Sequence, residues 1–127
     1  MVNNKQQIFN LSIKRKAKEL VEIPHTSVPL HSILHLKSAC TYLGDNYVIL
    51  SKGYFNADLL RDFKRIVVPD GEEYAADCLA VNGTVLMAKG YPKTRKLIEK
   101  EGFSVKELDV SEFRKGDGAL TCLSIIW

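Results

Sequence analysis

The chain has 127 residues, of which 46% are hydrophobic and 26% are charged, and its net charge is +3. A chain of this size and apolar content can bury a core as a single domain, and it is too apolar for its charge to be intrinsically disordered. No stretch of about 18 residues lacks charged side chains, and no apolar run follows the first lysines, so the sequence predicts neither a membrane span nor a secretory signal.

The first predicted elements are a helix over residues 5–20 and an extended segment over residues 21–30. Apolar residues recur at roughly helical spacing in the helix, and Pro24 and Pro29 keep the next segment extended. The helix carries the main basic cluster, at residues 14–18. Because acidic residues nearly balance basic ones overall, this cluster is typical of a solvated helix face, and we expect no nucleic-acid partner.

A first group of strands follows. Residues 34–42 and 47–51 predict a β-hairpin around a turn at residues 44–46. Asn56 is expected to cap a short helix, and the β-branched run at residues 66–68 predicts a third strand. This stretch therefore has the order strand, strand, helix, strand.

The same order recurs further along the chain. Residues 76–81 and 84–88 predict a second hairpin around an Asn-Gly pair, which is a strong turn signal. A helix is expected over residues 92–102, because it would begin at a proline and end at a glycine. Residues 103–110 predict the closing strand.

This recurrence is an internal repeat. VILSKGY at 48–54 aligns with VLMAKGY at 85–91 at an offset of 37 residues, and four of the seven positions are identical. Carrying the offset forward places Val68 over Val105 in the closing strands. Each unit is therefore interpreted as a ββαβ module.

The modules divide the chain into parts. Complete modules are expected at residues 34–69 and 76–110, the first strand of a further module at residues 118–127, and the αβ end of an earlier one at residues 1–33. The sequence thus predicts an α/β fold, in which a single domain of about two and a half modules forms an incomplete α/β propeller.

The three cysteines, Cys40, Cys78 and Cys122, are an odd number at wide spacing. They form no CxxC pair and no Cys/His cluster with zinc-ligand spacing, so no structural metal is expected. This usage predicts reduced thiols and a cytoplasmic protein. A free cysteine is most often a small buried hydrophobe, so a chemical role for any one of them needs further support.

The modules carry chemically reactive side chains at positions that match Cys122. The predicted start of the first strand in each module carries His35, Asp77 or Cys122. Because equivalent positions of a ring of modules meet at one end of its axis, a histidine base would face a thiol nucleophile there. A neighbouring imidazolium lowers the pKa of a thiol and favours the reactive thiolate. Spacing alone also allows both residues to be structural.

The loop before Cys122 adds a second feature. Gly116, Asp117 and Gly118 precede the predicted strand, where two glycines let the backbone approach a ligand closely and the carboxylate would hold a cation. An Asp-Gly pair is also a plain turn signal. Taken with a thiolate and a histidine, the loop would suit a planar cationic electrophile such as a guanidinium group.

Three segments within residues 28–124 resemble a known family. They read LHLKSACT, EEYAADCLAVNGTVLMAKGYPKT and GFSVKELDVSEFRKGDGALTCLS. In these segments the chain resembles the C-terminal half of the dimethylarginine dimethylaminohydrolases, in the guanidino-modifying (pentein) superfamily that includes arginine deiminase and the amidinotransferases. The resemblance implies half of a five-bladed ring of ββαβ modules.

The resemblance also implies roles for four residues. His35 matches the family's catalytic histidine and Cys122 its nucleophile, while Gly116 through its carbonyl and Asp117 through its side chain match the contacts to the substrate guanidinium. The implied reaction converts a methylated arginine to citrulline through a covalent thiouronium on Cys122, with no metal or organic cofactor.

Much of the family's active site has no counterpart in these residues. Family members are roughly double this length, and their other half carries most substrate contacts and the acidic partner of the histidine. We therefore expect either that a separate N-terminal-half chain supplies the second half needed for activity, or that this protein is a remnant with little activity. A homodimer of the chain is also expected, because a ring cut open exposes strand edges and apolar faces. The alternatives are a non-catalytic half-ring that binds or regulates, and an arginine deiminase or amidinotransferase.

Overall fold

A computed structural model describes residues 27–125. Its strands are β1 (Cys40–Gly44), β2 (Tyr47–Leu50), β3 (Lys64–Val67), β4 (Leu79–Val81), β5 (Thr84–Ala88) and β6 (Ser104–Leu108). Its α-helices are α1 (Pro92–Lys100) and α2 (Ser111–Lys115). Its short 3-10 helices are η1 (Leu36–Ser38), η2 (Ala57–Leu60), η3 (Glu73–Ala76) and η4 (Leu120–Leu123). The helix and basic cluster predicted within residues 5–20 lie outside the described residues.

The strands form two three-stranded sheets of identical topology. One has the order β1-β2-β3 and the other β4-β5-β6. In each, the first two strands pair as an antiparallel hairpin and the third pairs in parallel with the second. The protein is thus mixed α/β with two like sheets, as the internal repeat predicts, and within residues 27–125 neither sheet closes on itself.

Several local predictions are confirmed. Asn56 caps η2, because its side-chain oxygen accepts a hydrogen bond from the N–H of Asp58 at 3.0 Å. The Asn-Gly turn joins β4 to β5, with both residues at positive φ. Helix α1 begins at Pro92 and stops just before Gly102, whose φ of +93° is one that glycine adopts without strain.

Two predicted first strands begin later than expected. Residues 36–38 and 73–76 are 3-10 helices, so β1 starts at Cys40 and β4 at Leu79. The second delay has a tertiary cause: the hydroxyl of Thr41 donates to the carbonyl of Ala76 at 2.7 Å, which binds η3 to the neighbouring sheet. Residues 27–30 are not a strand either, and the rest of the extended segment predicted over 21–30 lies mostly outside the described range.

The equivalence of Val68 and Val105 is wrong. Tyr47 pairs with Lys64, whereas its counterpart Thr84 pairs with Ser104, so the second connection is three residues longer. The reason is that the first unit contains only the short η2 where the second contains the full helix α1.

The strand predicted for a further module is also absent from the described part of residues 118–127. Residues 120–123 form η4 instead, with the N–H of Cys122 donating to the carbonyl of Ala119 at 3.0 Å. The division of the chain into modules remains a prediction.

A shared hydrophobic core joins the two sheets. It includes Ile49 and Ile66 from one sheet, Met87 from the other and Ile98 from α1. A smaller cluster around Leu50 and Phe55 packs beneath β1 and η1. Among residues 27–125, no helix has the length and apolar character needed to cross a membrane.

Candidate active site

The three cysteines differ sharply in exposure. Cys78 is fully buried and Cys40 nearly so, whereas Cys122 in η4 is exposed. Burial raises the pKa of Cys40 to about 11 and that of Cys78 to about 12. All three are free thiols, and Cys122 is the one that a reagent in solution reaches.

His35 and Asp77 lie at the ends of two 3-10 helices. His35 is the exposed residue that precedes η1, and Asp77 is the buried residue that follows η3. The prediction that His35, Asp77 and Cys122 occupy equivalent positions at the start of a strand is therefore wrong, because one precedes, one follows and one lies within a 3-10 helix.

Asp77 nevertheless contacts the segment that carries Cys122. Its carboxylate accepts hydrogen bonds from the N–H of Thr121 at 3.2 Å and from the Thr121 hydroxyl at 3.0 Å, directly before Cys122. Burial raises the pKa of Asp77, while these hydrogen bonds and the positive charges of Lys37 and His35 partly oppose the rise. Asp77 thus contacts the segment that carries Cys122, and η3, which precedes Asp77, lies in contact with η1, which follows His35.

The loop at residues 116–118 is shaped differently from the sequence expectation. Asp117 has a φ of +58°, whereas Gly116 lies in an ordinary region with a φ of −97°. A Cβ added to Gly118 would lie 3.0 Å from the carbonyl oxygen of Phe113, so close packing favours glycine at this position. The exposed tip of the loop therefore presents the Asp117 carboxylate.

An aromatic pair holds this loop. The hydroxyl of Tyr74 donates to the carbonyl of Gly118 at 2.7 Å. The guanidinium of Arg114 lies 4.7 Å from the ring centre of Tyr74 and 5.9 Å from that of Tyr91, and it donates to the Tyr91 hydroxyl at 2.7 Å. A small open cavity beside this group is lined by Lys89, Ser111 and the same three side chains, among others.

Sequence reasoning did not single out Tyr74, Tyr91, Arg114 or Thr121. Their contacts to the loop and to Asp77 join distant parts of the chain, and no spacing rule indicates them. Within residues 27–125, no group of three or more His, Cys, Asp or Glu side chains is arranged to hold a metal ion.

No protein-family model matches the chain. In sequence it is 41% identical over 98 residues to the N(G),N(G)-dimethylarginine dimethylaminohydrolase of Pseudomonas aeruginosa, a match that covers 77% of this chain and 39% of that enzyme. A solved structure of the P. aeruginosa enzyme, a cysteine-to-serine variant with citrulline, matches with a TM-score of 0.78 and 33% identity over 94% of this chain and 46% of the other.

A second solved structure is a histidine-to-glycine variant of a dimethylarginine dimethylaminohydrolase, as an adduct with S-methyl-L-thiocitrulline. It matches with a TM-score of 0.83 and 34% identity, over 98% of this chain and 48% of that one. The fold class is thus that of the pentein amidinotransferases. Within that class, the neighbours in sequence and structure point to dimethylarginine dimethylaminohydrolase. In each of these three comparisons the chain spans less than half the length of the relative.

Proposed function

We propose that this chain carries the nucleophile and the base of a dimethylargininase-like hydrolase. The observation that supports this most directly is Asp77, whose buried carboxylate binds Thr121 beside the exposed thiol of Cys122 and lies within electrostatic range of His35. The similarity to dimethylarginine dimethylaminohydrolases gives this pairing of histidine and cysteine its chemistry.

In the proposed reaction the substrate is an arginine methylated on its guanidinium. The carbonyl of Gly116 and the carboxylate of Asp117 hold the guanidinium, and the thiolate of Cys122 attacks its central carbon. Methylamine or dimethylamine leaves with a proton from His35, which produces an S-linked thiouronium. His35 then removes a proton from water, the water adds to the thiouronium carbon, and the C–S bond breaks to give citrulline and free Cys122.

The proposal includes a contribution from outside these residues. Asp77 accepts its hydrogen bonds from Thr121. The resemblance to dimethylarginine dimethylaminohydrolases implies that the acid that orients the imidazole of His35 belongs to the family's other half. Losing an orienting acid costs on the order of 10⁴ in turnover in a comparable triad. We propose that this acid and the remaining pocket belong to a complementary N-terminal half-ring, which would complete a five-bladed ring.

The same observation favours a second candidate function. Because His35 donates no hydrogen bond to Asp77, the chain alone would bind a guanidino compound at Cys122 without turning it over. A deiminase or amidinotransferase would use the same thiol, and its substrate would carry no methyl group on the guanidinium.

Covalent labelling tests the proposed site. Chloroacetamidine is a planar cation that alkylates a thiol, and we expect it to modify Cys122 before Cys40 and Cys78, whose burial raises their pKa and keeps them protonated. Peptide mass mapping measures the order in which the cysteines are labelled. His35→Ala should slow the labelling of Cys122, and Cys122→Ser should abolish labelling at this position. Equal labelling of all three cysteines would contradict a specific site.

Turnover tests the need for a second half. We expect the purified chain to release little citrulline from Nω,Nω-dimethylarginine. Robust citrulline production that disappears in Cys122→Ser would show that these residues suffice alone. Preference for unmethylated arginine would instead favour the deiminase.

A further inference from the structure

The segment that leads into Cys122 is fixed from outside at both ends. At its start, the carbonyl of Gly118 accepts the Tyr74 hydroxyl at 2.7 Å. At its end, Thr121 donates twice to the Asp77 carboxylate. The residues between these anchors are buried, whereas Cys122 itself is exposed.

Both anchoring side chains come from η3 or its end. Tyr74 lies within η3 and Asp77 immediately follows it. Two hydroxyl donors hold this helix: Thr41 in β1 donates to the carbonyl of Ala76 at 2.7 Å, and Ser51, which follows β2, donates to that of Glu73 at 2.9 Å. Its alanines are fully buried. Helix η3 is therefore part of the core that the two sheets share.

By contrast, η4 has little internal structure to orient it. It contains four residues, and the N–H groups of Cys122 and Leu123 share one acceptor, the carbonyl of Ala119. A single 3-10 turn of this kind takes its orientation from its surroundings. The direction of the Cys122 side chain thus depends on the anchors at Gly118 and Thr121.

Tyr74 acts on the loop as well. Arg114 lies against its ring, and the carbonyl of Phe113 accepts the N–H groups of Gly116 at 3.1 Å and Gly118 at 2.9 Å. Burial raises the pKa of Tyr74, the negative charge of Asp77 adds to the rise, and the positive charge of Arg114 opposes it.

We propose that Tyr74 and Asp77 are positioning residues that set the Cys122 thiol relative to the Gly116–Asp117 loop. This inference rests on the proposed function, because the loop is taken to hold the guanidinium that Cys122 attacks. Misplacing a reacting group by about 1 Å can cost on the order of 10²-fold in rate. Neither residue touches substrate in this scheme, and each acts through the backbone that it anchors.

The test compares two alkylating reagents of similar size. Chloroacetamidine is cationic and uses the loop, whereas chloroacetamide is neutral and reports only on the accessibility and ionisation of the thiol. Their rate ratio at Cys122 is the selectivity of the site. We expect Tyr74→Phe, which keeps the ring under Arg114 but removes the hydroxyl, to reduce this ratio by about tenfold. Tyr47→Phe is the matched control, since its hydroxyl bonds to the exposed Glu101 and its ratio should equal that of the wild type.

Two substitutions at Asp77 separate position from charge. Asp77→Asn can still hydrogen-bond Thr121 and should keep most of the selectivity, whereas Asp77→Ala should lose it. An equal loss in both variants would show that Asp77 acts through its charge and would overturn its positioning role. A variant whose whole fold is destabilised is recognised separately, because both reagents would then also label Cys40 and Cys78. If selectivity falls only in variants that show this additional labelling, the positioning role is wrong.

The outcomes distinguish this inference from the proposed function. If wild-type Cys122 reacts equally well with both reagents, the guanidinium site fails and the inference fails with it. If the wild type is selective and Tyr74→Phe and Asp77→Ala remain equally selective, the site stands and the positioning role is wrong.

Discussion

Glu72 is a buried carboxylate that caps a helix. It accepts hydrogen bonds from the N–H and the hydroxyl of Thr94, both at 2.7 Å, and from the N–H of Lys93 at 3.2 Å. Burial acts to raise the pKa of Glu72, but these hydrogen bonds and the charge of Lys93 outweigh it and leave the pKa below its usual value of 4.5. The ionised carboxylate therefore stabilises the N-terminus of α1.

We expect Glu72→Gln to lower the free energy of unfolding at neutral pH by about 1–2 kcal/mol. Because the folded-state pKa is the lower one, the stabilisation is fully present above the unfolded-state value and is lost as the pH falls through the folded-state value. Urea unfolding as a function of pH should therefore show the difference between wild type and variant shrinking in acid.

The control for this prediction is Glu112→Gln, which removes an exposed ion pair with Lys115. Glu112→Gln should change the free energy of unfolding by less than about 0.5 kcal/mol. A difference between wild type and Glu72→Gln that persists unchanged at acid pH would show that the carboxylate charge has no part in the cap.

At the scale of elements, η3 connects the two sheets. The Thr41 hydroxyl in β1 donates to the carbonyl of Ala76 and accepts from the N–H of Cys78 at 3.4 Å. We expect Thr41→Val to destabilise the protein by about 1–3 kcal/mol, because valine fills the space but leaves both backbone groups unpaired. Chemical denaturation measures this loss, and hydrogen exchange at the Cys78 N–H should become faster.

Thr84→Val at the start of β5 is a matched substitution away from this junction. It should change the free energy of unfolding by less than about 0.5 kcal/mol. If the two substitutions lower the free energy of unfolding equally, the hydrogen bonds of the Thr41 hydroxyl do not stabilise the contact between the sheets.

The elements that the sequence predicts well are those fixed by their own residues. The Asn-Gly turn, the Asn56 cap and the start of α1 at Pro92 all follow from local backbone preferences. The late start of β4 has another origin. There, the tertiary contact between Thr41 and Ala76 favours a 3-10 turn over an extended run of the same residues.

The same distinction between local preferences and distant contacts applies to the candidate site. Residue type and family resemblance bring forward His35, Cys122 and Asp117, and their catalytic roles stay predictions. Such reasoning names Asp77 as a residue, but it does not predict the contacts that hold the surroundings of the site. Tyr74 meets Gly118, and Asp77 meets Thr121, across 44 positions of sequence, a separation at which no periodicity or motif applies.

At the scale of the whole molecule, large apolar side chains next to the proposed catalytic residues face solvent. Leu34 precedes His35, and Leu123 and Ile125 follow Cys122, with exposed fractions of 58%, 49% and 86%. Exposed groups of this kind favour association. We expect light scattering of the purified chain to give the mass of a dimer, and Leu123→Glu combined with Ile125→Glu to give that of a monomer.

Leu59→Glu provides the control for this prediction, because Leu59 is an exposed leucine on η2. It should leave the dimer intact. A wild-type chain that stays monomeric at every concentration, or a dimer that dissociates equally in the control, would contradict an interface beside Cys122.

The anchors of η4 also have a consequence for the order in which the chain folds. The two hairpins pair residues close in sequence, whereas the bonds from η3 to Gly118 and Thr121 span 44 positions. Closing a long loop costs more chain entropy than closing a short one, so distant contacts form late. We therefore expect Cys122 to reach its final orientation only after both hairpins are in place. Until then, a refolding chain carries three ordinary thiols with nothing to distinguish them.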